Sequence, residues 1–342
     1  MQTSQHVFDQ YEGHDVTAFQ LTNDNGVSAT ILSQGGLIHE FNAPTADGGH
    51  QNVLLSYPTT ADYYTNPFYV NMAIGTAAGR TKAAKFVIDG KQVDVTANEG
   101  RNTLHGGPHG FSSVNWDGQT AVTDAGATLT LTHHFEGGAG EFPAMDVTIT
   151  YVLDANNTLS LTYTATSEAP TVFNPTQHVY FNLTGADSIR QQVLQLNTTR
   201  HLDVDAEKLP TGDYLDNAGT PFDFSKPTVL GDAIDGMQNT TEKGFDDIFE
   251  VKPDADNTIA RLSDPDSQLA VTIHSSRNGL VVFTANSFTD DMNLTIGHGK
   301  PNMGVALEAQ NLSDATRLPQ FGDITLKPGE EKSYTIGYHL SF

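Results

Sequence analysis

The chain is 342 residues long, 37% of them hydrophobic, and it contains no cysteine. The lack of cysteine excludes disulfides, thiolate metal sites and thiol nucleophiles. A formal charge of -24 arises from 41 acidic and 17 basic residues, and such a field repels nucleic acids and anionic membranes. It also disfavours phosphorylated substrates, so a neutral ligand fits this charge best.

No linker-like shift in composition, internal repeat or low-complexity tract divides the sequence. We therefore expect one domain over residues 1–342, because all-β folds often exceed the usual length of a domain. The first ten residues lack both a basic start and an apolar run, so no signal peptide is predicted. No stretch approaches the ~20 apolar residues that cross a bilayer, and the expectation is a soluble, cytoplasmic protein.

Alternation of apolar and polar residues is the dominant pattern along the chain and predicts β-strands. Asp89 and Gly90 are typical of a hairpin turn between two short strands. Residues 128–132, 147–153 and 159–163 alternate in the same way and predict an antiparallel meander with a turn at 154–157.

The last predicted strand follows the turn at Pro328 and Gly329. One face of this strand carries Tyr334, Ile336, Tyr338, Leu340 and Phe342. Only short helical turns are predicted, near residues 60–66 and 231–236. The many glycines and prolines separate short strands, as in a sandwich. The prediction is an all-β fold, a large antiparallel β-sandwich with few short helical turns.

Residues 174–183 carry a histidine between other polar side chains on a predicted strand. His178, Tyr180 and Asn182 alternate with apolar residues, so the two sets are expected on opposite faces. This arrangement suits a polar cleft on a rigid sheet. A core histidine bonded to a backbone carbonyl is the alternative interpretation.

A second strand with one titratable group is predicted at residues 305–310. Its apolar side is formed by residues 305, 307 and 309, which leaves Glu308 and Gln310 on the other side. A buried carboxylate is costly unless partners satisfy it. Glu308 is therefore either a structural glutamate bonded to backbone or an arginine, or one member of an acid–base pair with His178.

Residues 104–110 form a glycine-rich loop that holds His105 and His109. Glycines let the backbone approach a ligand closely. Two histidines four residues apart align as metal ligands only on a helix, which Gly106, Gly107 and Pro108 exclude. Neither this loop nor any other motif matches a metal site, so none is predicted.

Arg80 ends a loop of small residues, 75–80, that lacks the ending of a phosphate-binding loop. We interpret it as a ligand-orienting group or as the partner of a surface acid. Asp246 and Asp247 follow a turn glycine, but the oxygen-ligand pattern of a calcium loop is absent. No Gly-x-Ser-x-Gly elbow supports a serine hydrolase.

Taken together, the motifs at residues 78–80, 103–107, 174–183, 244–246 and 307–310 resemble the aldose 1-epimerase (galactose mutarotase) family. The resemblance implies a galactose mutarotase-like supersandwich, an isomerase that interconverts the α and β anomers of a free aldose, and no metal or organic cofactor. By similarity Glu308 is the general base and His178 the general acid, and His105 assists near the ring oxygen. Arg80 and Asp246 are then expected to orient sugar hydroxyls.

The chain departs from the family's pattern at three positions. Many members carry Gly-Arg-x-x-Asn-Arg where this chain has Thr76 in place of the first arginine and Gly79 in place of the asparagine. Asp247 stands where a histidine often follows the motif aspartate. These departures leave the sugar preference open.

The leading hypothesis from the sequence is a mutarotase for a free hexose, galactose or glucose. An epimerase for maltose or another disaccharide is an alternative, as is one for a hexose 6-phosphate, which would need a basic pocket that the motifs do not show. A non-catalytic sugar-binding module on the same fold is the third. The sequence does not decide whether the chain forms a homodimer.

Overall fold

The computed structural model describes residues 1–342, and 48% of them lie in strands. This confirms the predicted all-β class. The helices are Thr60–Tyr63 and Leu230–Gly236, with 3-10 turns at Lys82–Ala84, Phe111–Ser113 and Pro319–Phe321. Both predicted helical turns are thus present, and none of the helices has the length and apolar character that crossing a membrane requires.

The largest sheet has nine antiparallel strands and contains the predicted meander and the C-terminal strand. In spatial order its strands are Asp117–Thr123, Gly126–Phe135, Met145–Leu153, Thr158–Ser167, Glu331–Ser341, Ala270–His274, Thr258–Ser263, Val193–Leu196 and Thr228–Val229. The C-terminal prediction was wrong in one detail, because the strand ends at Ser341 and Phe342 is 53% exposed.

Two further antiparallel sheets face the nine-stranded sheet. The six-stranded sheet has the order Tyr180–Phe181, Val305–Gln310, Gly279–Phe283, Asp246–Val251, Thr198–Val204 and Pro210–Asp216. The five-stranded sheet has the order Gln2–Tyr11, His14–Thr22, Ser28–Leu32, Leu37–Pro44 and His50–Asn52.

Five two-stranded ladders accompany the three larger sheets. They pair Ala73–Ile74 with Thr176–Gln177, Arg80–Thr81 with Thr103–Leu104, Lys85–Ile88 with Lys91–Asp94, Thr171–Val172 with Thr325–Leu326, and Asn293–Leu294 with Gly297–His298. The predicted hairpin is confirmed. Its turn residues Asp89 and Gly90 have φ of 49° and 73°, the left-handed values that a two-residue turn between twisted strands requires.

The main hydrophobic core lies between the sheets. It draws Leu129 and Leu161 from the nine-stranded sheet, Ile31 from the five-stranded sheet, and Leu307 and Val282 from the six-stranded sheet. Full burial of one such side chain contributes about 1.5–3 kcal/mol. Because strand residues alternate between faces, burying residues 305, 307 and 309 in this core fixes Glu308 on the opposite face of the six-stranded sheet.

Residues 174–183 do not form the single strand predicted from their alternation. Thr176–Gln177 pairs with Ala73–Ile74, whereas Tyr180–Phe181 pairs with Val305–Gln310. The segment therefore crosses from a ladder to the six-stranded sheet, with His178 at the break. The apolar residues 179, 181 and 183 still lie in the main core, as predicted.

Candidate active site

An open cleft of about 320 Å³ lies on the face of the six-stranded sheet that points away from the main core. Glu308 is paired in register with Val281, and Val281 with Ile248; all three line the cleft. Neighbouring strands thus supply a floor in which apolar side chains lie beside the Glu308 carboxylate. Such a floor excludes water from around the carboxylate and strengthens its interactions.

Glu308 and His178 meet on this floor. The Nε2 atom of His178 is 3.3 Å from Oε1 of Glu308, and the two residues are 6% and 2% exposed. The other carboxylate oxygen of Glu308 and Nδ1 of His178 are buried and have no hydrogen-bond partner in the protein. Neither a backbone group nor an arginine contacts the Glu308 carboxylate, so the structural interpretation of this residue finds no support.

Burial shifts both members of the pair towards their neutral forms. It raises the pKa of Glu308 to about 8, and the nearby Asp246 carboxylate adds to this rise. It lowers the pKa of His178 to about 4. Between these values the pair as a whole carries one transferable acidic proton, which passes between the two side chains over their 3.3 Å contact.

His105 completes the cluster, and its tautomer follows from its contacts. The backbone N–H of Gly79 donates to Nδ1 of His105 at 3.3 Å, and the backbone N–H of His105 donates to the Gly79 carbonyl at 3.0 Å. Because Nδ1 accepts, the neutral imidazole carries its proton on Nε2. Burial and the neighbouring His178 and Arg80 lower the pKa of His105 well below its usual value. His105 is thus a neutral donor beside His178, with ring centroids 5.2 Å apart.

The glycine loop around His105 has the close approach that its sequence indicated. A Cβ atom on Gly106 would lie 1.9 Å from the Gly75 carbonyl oxygen, and one on Gly110 would lie 2.5 Å from the same atom. Only glycine fits at either position. His109 belongs elsewhere, because it lines a separate cavity of about 450 Å³ that contains none of the five predicted site residues.

One donor atom each from His105, His178 and Glu308 lie within 4.8 Å of one another. Two imidazole nitrogens and a carboxylate oxygen are a donor set that zinc accepts, so these three side chains are the ones that could hold a metal ion. The sequence-based expectation of no metal and no cofactor stays a prediction.

Arg80 lines the cleft and is also paired with an acid. Its Nε and Nη2 atoms donate to the two carboxylate oxygens of Glu99 at 2.6 and 2.7 Å. The acid-pairing interpretation of Arg80 is therefore confirmed, and its role in orienting a ligand stays a prediction for a residue of the cleft wall. Glu99 was missed in the sequence, because nothing about its turn distinguishes it from other acidic surface residues.

Asp246 also lines the cleft. The Nζ atom of Lys208 is 3.5 Å from the Asp246 carboxylate and 3.1 Å from that of Glu242. Sequence reasoning missed Lys208 and Glu242, since neither belongs to a motif. The Asp247 carboxylate accepts a hydrogen bond from the Asp246 backbone N–H at 3.0 Å. Burial raises the pKa of Asp247 to about 6.

Tyr69 is a further cleft residue without a sequence signal. Its ring packs edge-on against His105 at 5.0 Å and stacks with His178 at 6.5 Å. Asn98 donates to the Tyr69 hydroxyl at 3.2 Å and bonds both backbone groups of Leu104, next to His105. These contacts fix the orientation of both imidazoles.

Asn182 is not in the cleft, contrary to prediction. Its amide nitrogen donates to the carbonyls of Ala186 and Met303 at 2.7 and 2.8 Å. The side chain satisfies the backbone of two loops, because the strand Tyr180–Phe181 ends before Asn182. The five residues assigned by resemblance, by contrast, all line the one cleft: Arg80, His105, His178, Asp246 and Glu308.

Comparison with solved structures identifies the class to which this sandwich belongs. The galactose 1-epimerase of Lactobacillus acidophilus NCFM superimposes with a TM-score of 0.85 and 27% identity, covering 99% of this chain and 98% of that one. The fold is thus the galactose mutarotase-like one that the resemblance implied.

The chain belongs to the aldose 1-epimerase family, whose pattern matches residues 17–339. It is 40% identical to a maltose epimerase of Levilactobacillus brevis, over 96% of this chain and 95% of the relative. It is 34% identical to an aldose 1-epimerase of Streptococcus thermophilus, over 99% and 98%. Enzymes with these names are isomerases, which confirms the predicted enzyme class.

Proposed function

We propose that this protein interconverts the α and β anomers of a free aldohexose, with galactose and glucose as the first candidates. The observation that carries the proposal is the contact of Glu308 with His178, 3.3 Å apart on the floor of an open cleft. Each has one buried polar atom without a protein partner. Such atoms are unfavourable in an empty site and become satisfied when a ligand supplies hydrogen bonds.

The reaction needs one proton removed from the C1 hydroxyl and one delivered to the ring oxygen. In the proposed mechanism the pair reacts from the form in which its one acidic proton lies on His178. Glu308 then accepts the first proton and His178 gives the second to the ring oxygen, which opens the ring to the aldehyde. Rotation about the C1–C2 bond and closure on the other carbonyl face reverse both transfers. The raised pKa of the Glu308 carboxyl makes it a stronger base than an exposed glutamate.

The neighbouring residues have supporting roles in this proposal. His105 presents its Nε2–H beside the pair and assists at the ring oxygen. Arg80 and Asp246, which both line the cleft, orient the sugar hydroxyls. A sheet strand holds Glu308, and backbone hydrogen bonds to Asn71 and Met72 hold His178, so that the distance between the acid–base groups is fixed before the sugar binds.

The charge distribution in the cleft favours a neutral sugar over a sugar phosphate. Its two cationic side chains are each matched by acids, Arg80 by Glu99 and Lys208 by Glu242 and Asp246. No unpaired cation is left to neutralise a phosphate group. A hexose 6-phosphate therefore has no support from this site.

A disaccharide is the second candidate, and one feature of the surface favours it. The cleft continues past Arg80, Glu99 and Lys208 into an open groove of about 550 Å³, whose further walls include Arg101 and Glu207. A second sugar ring joined to the first has room there. The maltose epimerase among the relatives adds weight to this candidate.

Polarimetry of freshly dissolved α-galactose, α-glucose and maltose tests both candidates in one assay. The expected result is a faster approach to the equilibrium rotation for at least one sugar. Faster change with maltose than with both hexoses would favour the disaccharide. Calorimetric binding of these sugars with no acceleration for any of them would overturn the proposal in favour of a non-catalytic sugar-binding module.

A further inference from the structure

Gly79, one of the departures from the family's pattern, has a steric reason in this chain. Its φ is +73°, and a Cβ atom at this position would lie 2.4 Å from Oγ of Ser313 and 3.0 Å from its Cβ. A residue larger than glycine at position 79 would therefore clash with the Ser313 side chain in its present position. The glycine thus makes room for the Ser313 side chain, which lines the cleft and is 2% exposed.

The hydroxyl of Ser313 is held from one side only. The amide nitrogen of Gln310 donates to Ser313 Oγ at 2.9 Å, and no protein acceptor receives the hydroxyl proton. Gln310 is fully buried, and it lies two residues after Glu308 on the same face of the strand. The strand that carries the proposed base therefore also fixes the position of a free donor in the same cleft.

A structural role in the turn does not explain this serine. The turn after the strand is fastened by other side chains, because the N–H of Asn311 donates to Asn174 and that of Leu312 donates to Asn278. Ser313 makes no side-chain hydrogen bond to the backbone. A buried hydroxyl donor without an acceptor is unfavourable unless a ligand oxygen completes it.

We propose that Ser313 is a substrate-binding residue whose Oγ–H donates to one ring hydroxyl oxygen of the sugar, and that Gln310 positions it. This inference rests on the proposed function, since it assigns a specificity contact within the same cleft. The ligand class is a sugar hydroxyl. Gly79 contributes by leaving the space that the serine fills.

The test crosses Ser313→Ala with a set of deoxy sugars, each lacking one ring hydroxyl of the preferred hexose. For wild type we expect kcat/KM to fall about tenfold when the hydroxyl recognised by Ser313 is missing, the loss typical of one hydrogen bond. The ratio of kcat/KM for the full hexose to kcat/KM for that deoxy sugar should shrink in Ser313→Ala to about twofold or less. The corresponding ratios for the other deoxy sugars should be unchanged. Gln310→Met should weaken the same ratio and no other, because it removes the positioning amide.

Ser333→Ala, an exposed serine on the nine-stranded sheet, is the matched control and should keep every wild-type ratio. The inference is overturned if Ser313→Ala lowers kcat/KM by one common factor for all sugars, or leaves every ratio as in wild type. Wild-type protein that turns over no sugar at all would instead overturn the proposed function and this inference with it.

Discussion

The replacement Glu308→Gln separates a catalytic glutamate from a structural one by its effect on stability. The amide keeps the size of the side chain but has no charge to bury. Burial raises the pKa of Glu308 from 4.5 to about 8, and because the folded-state value lies above the unfolded one, wild type loses stability as pH rises between these values. The full difference corresponds to about 5 kcal/mol, of which about 3 kcal/mol is lost by pH 7.

We therefore expect the stability of wild type, relative to Glu308→Gln, to fall by about 4 kcal/mol between pH 4.5 and pH 9. Over the same range the variant should show activity reduced by ~10²–10⁴, the usual contribution of a positioned general base. A residue whose removal stabilises the protein and abolishes its activity is retained for function rather than for folding.

Urea unfolding at a series of pH values measures the free energy of unfolding. The buried Trp116, the only tryptophan, is the fluorescent probe. Polarimetry measures the activity. Glu136→Gln, which changes a glutamate whose side chain is 89% exposed, is the control and should alter stability by less than about 0.5 kcal/mol. The reasoning is refuted if Glu308→Gln is less stable than wild type at pH 9 and retains its activity.

Three further outcomes are expected. The pH profile of kcat/KM should be bell-shaped, because both residues are protonated below the His178 pKa of about 4 and both are deprotonated above the Glu308 pKa of about 8, and the reaction needs one proton on the pair. A rate still rising at pH 9 would contradict this. Gly106→Ala should displace the His105 loop from the Gly75 carbonyl and so reduce both the activity in polarimetry and the melting temperature. Unchanged activity and melting temperature would show that the loop can relax. Leu307→Ala should cost about 2–5 kcal/mol in urea unfolding, since this residue is fully buried in the main core, and a loss below 1 kcal/mol would mean that the core refills the cavity.

Much of the fold could be predicted because the signal is local. In the strand Val305–Gln310, alternation alone placed residues 305, 307 and 309 in the core and Glu308 on the other face. The same period identified the meander and the C-terminal strand. It failed at Asn182, because the strand ends at Phe181 and a periodic pattern does not show where pairing with the neighbouring strand stops.

The charged partners in the cleft could not be predicted for a related reason. Glu99 reaches Arg80, and Lys208 reaches Asp246, from turns that are remote in sequence and have no distinctive composition. Their proximity depends on the tertiary fold. The five residues assigned by family resemblance do line one cleft, but the resemblance did not indicate the contact between Gly79 and Ser313, which depends on side-chain packing.

Kinetics of the double variant Glu308→Gln/His178→Gln, compared with both single variants, test most directly whether the two residues act as one acid–base unit. If they do, either single change removes most of the acceleration, and we expect the double variant to be no more than about threefold slower than the slower single variant. Anomerisation rates in which the two single losses multiply would show independent contributions and contradict the account.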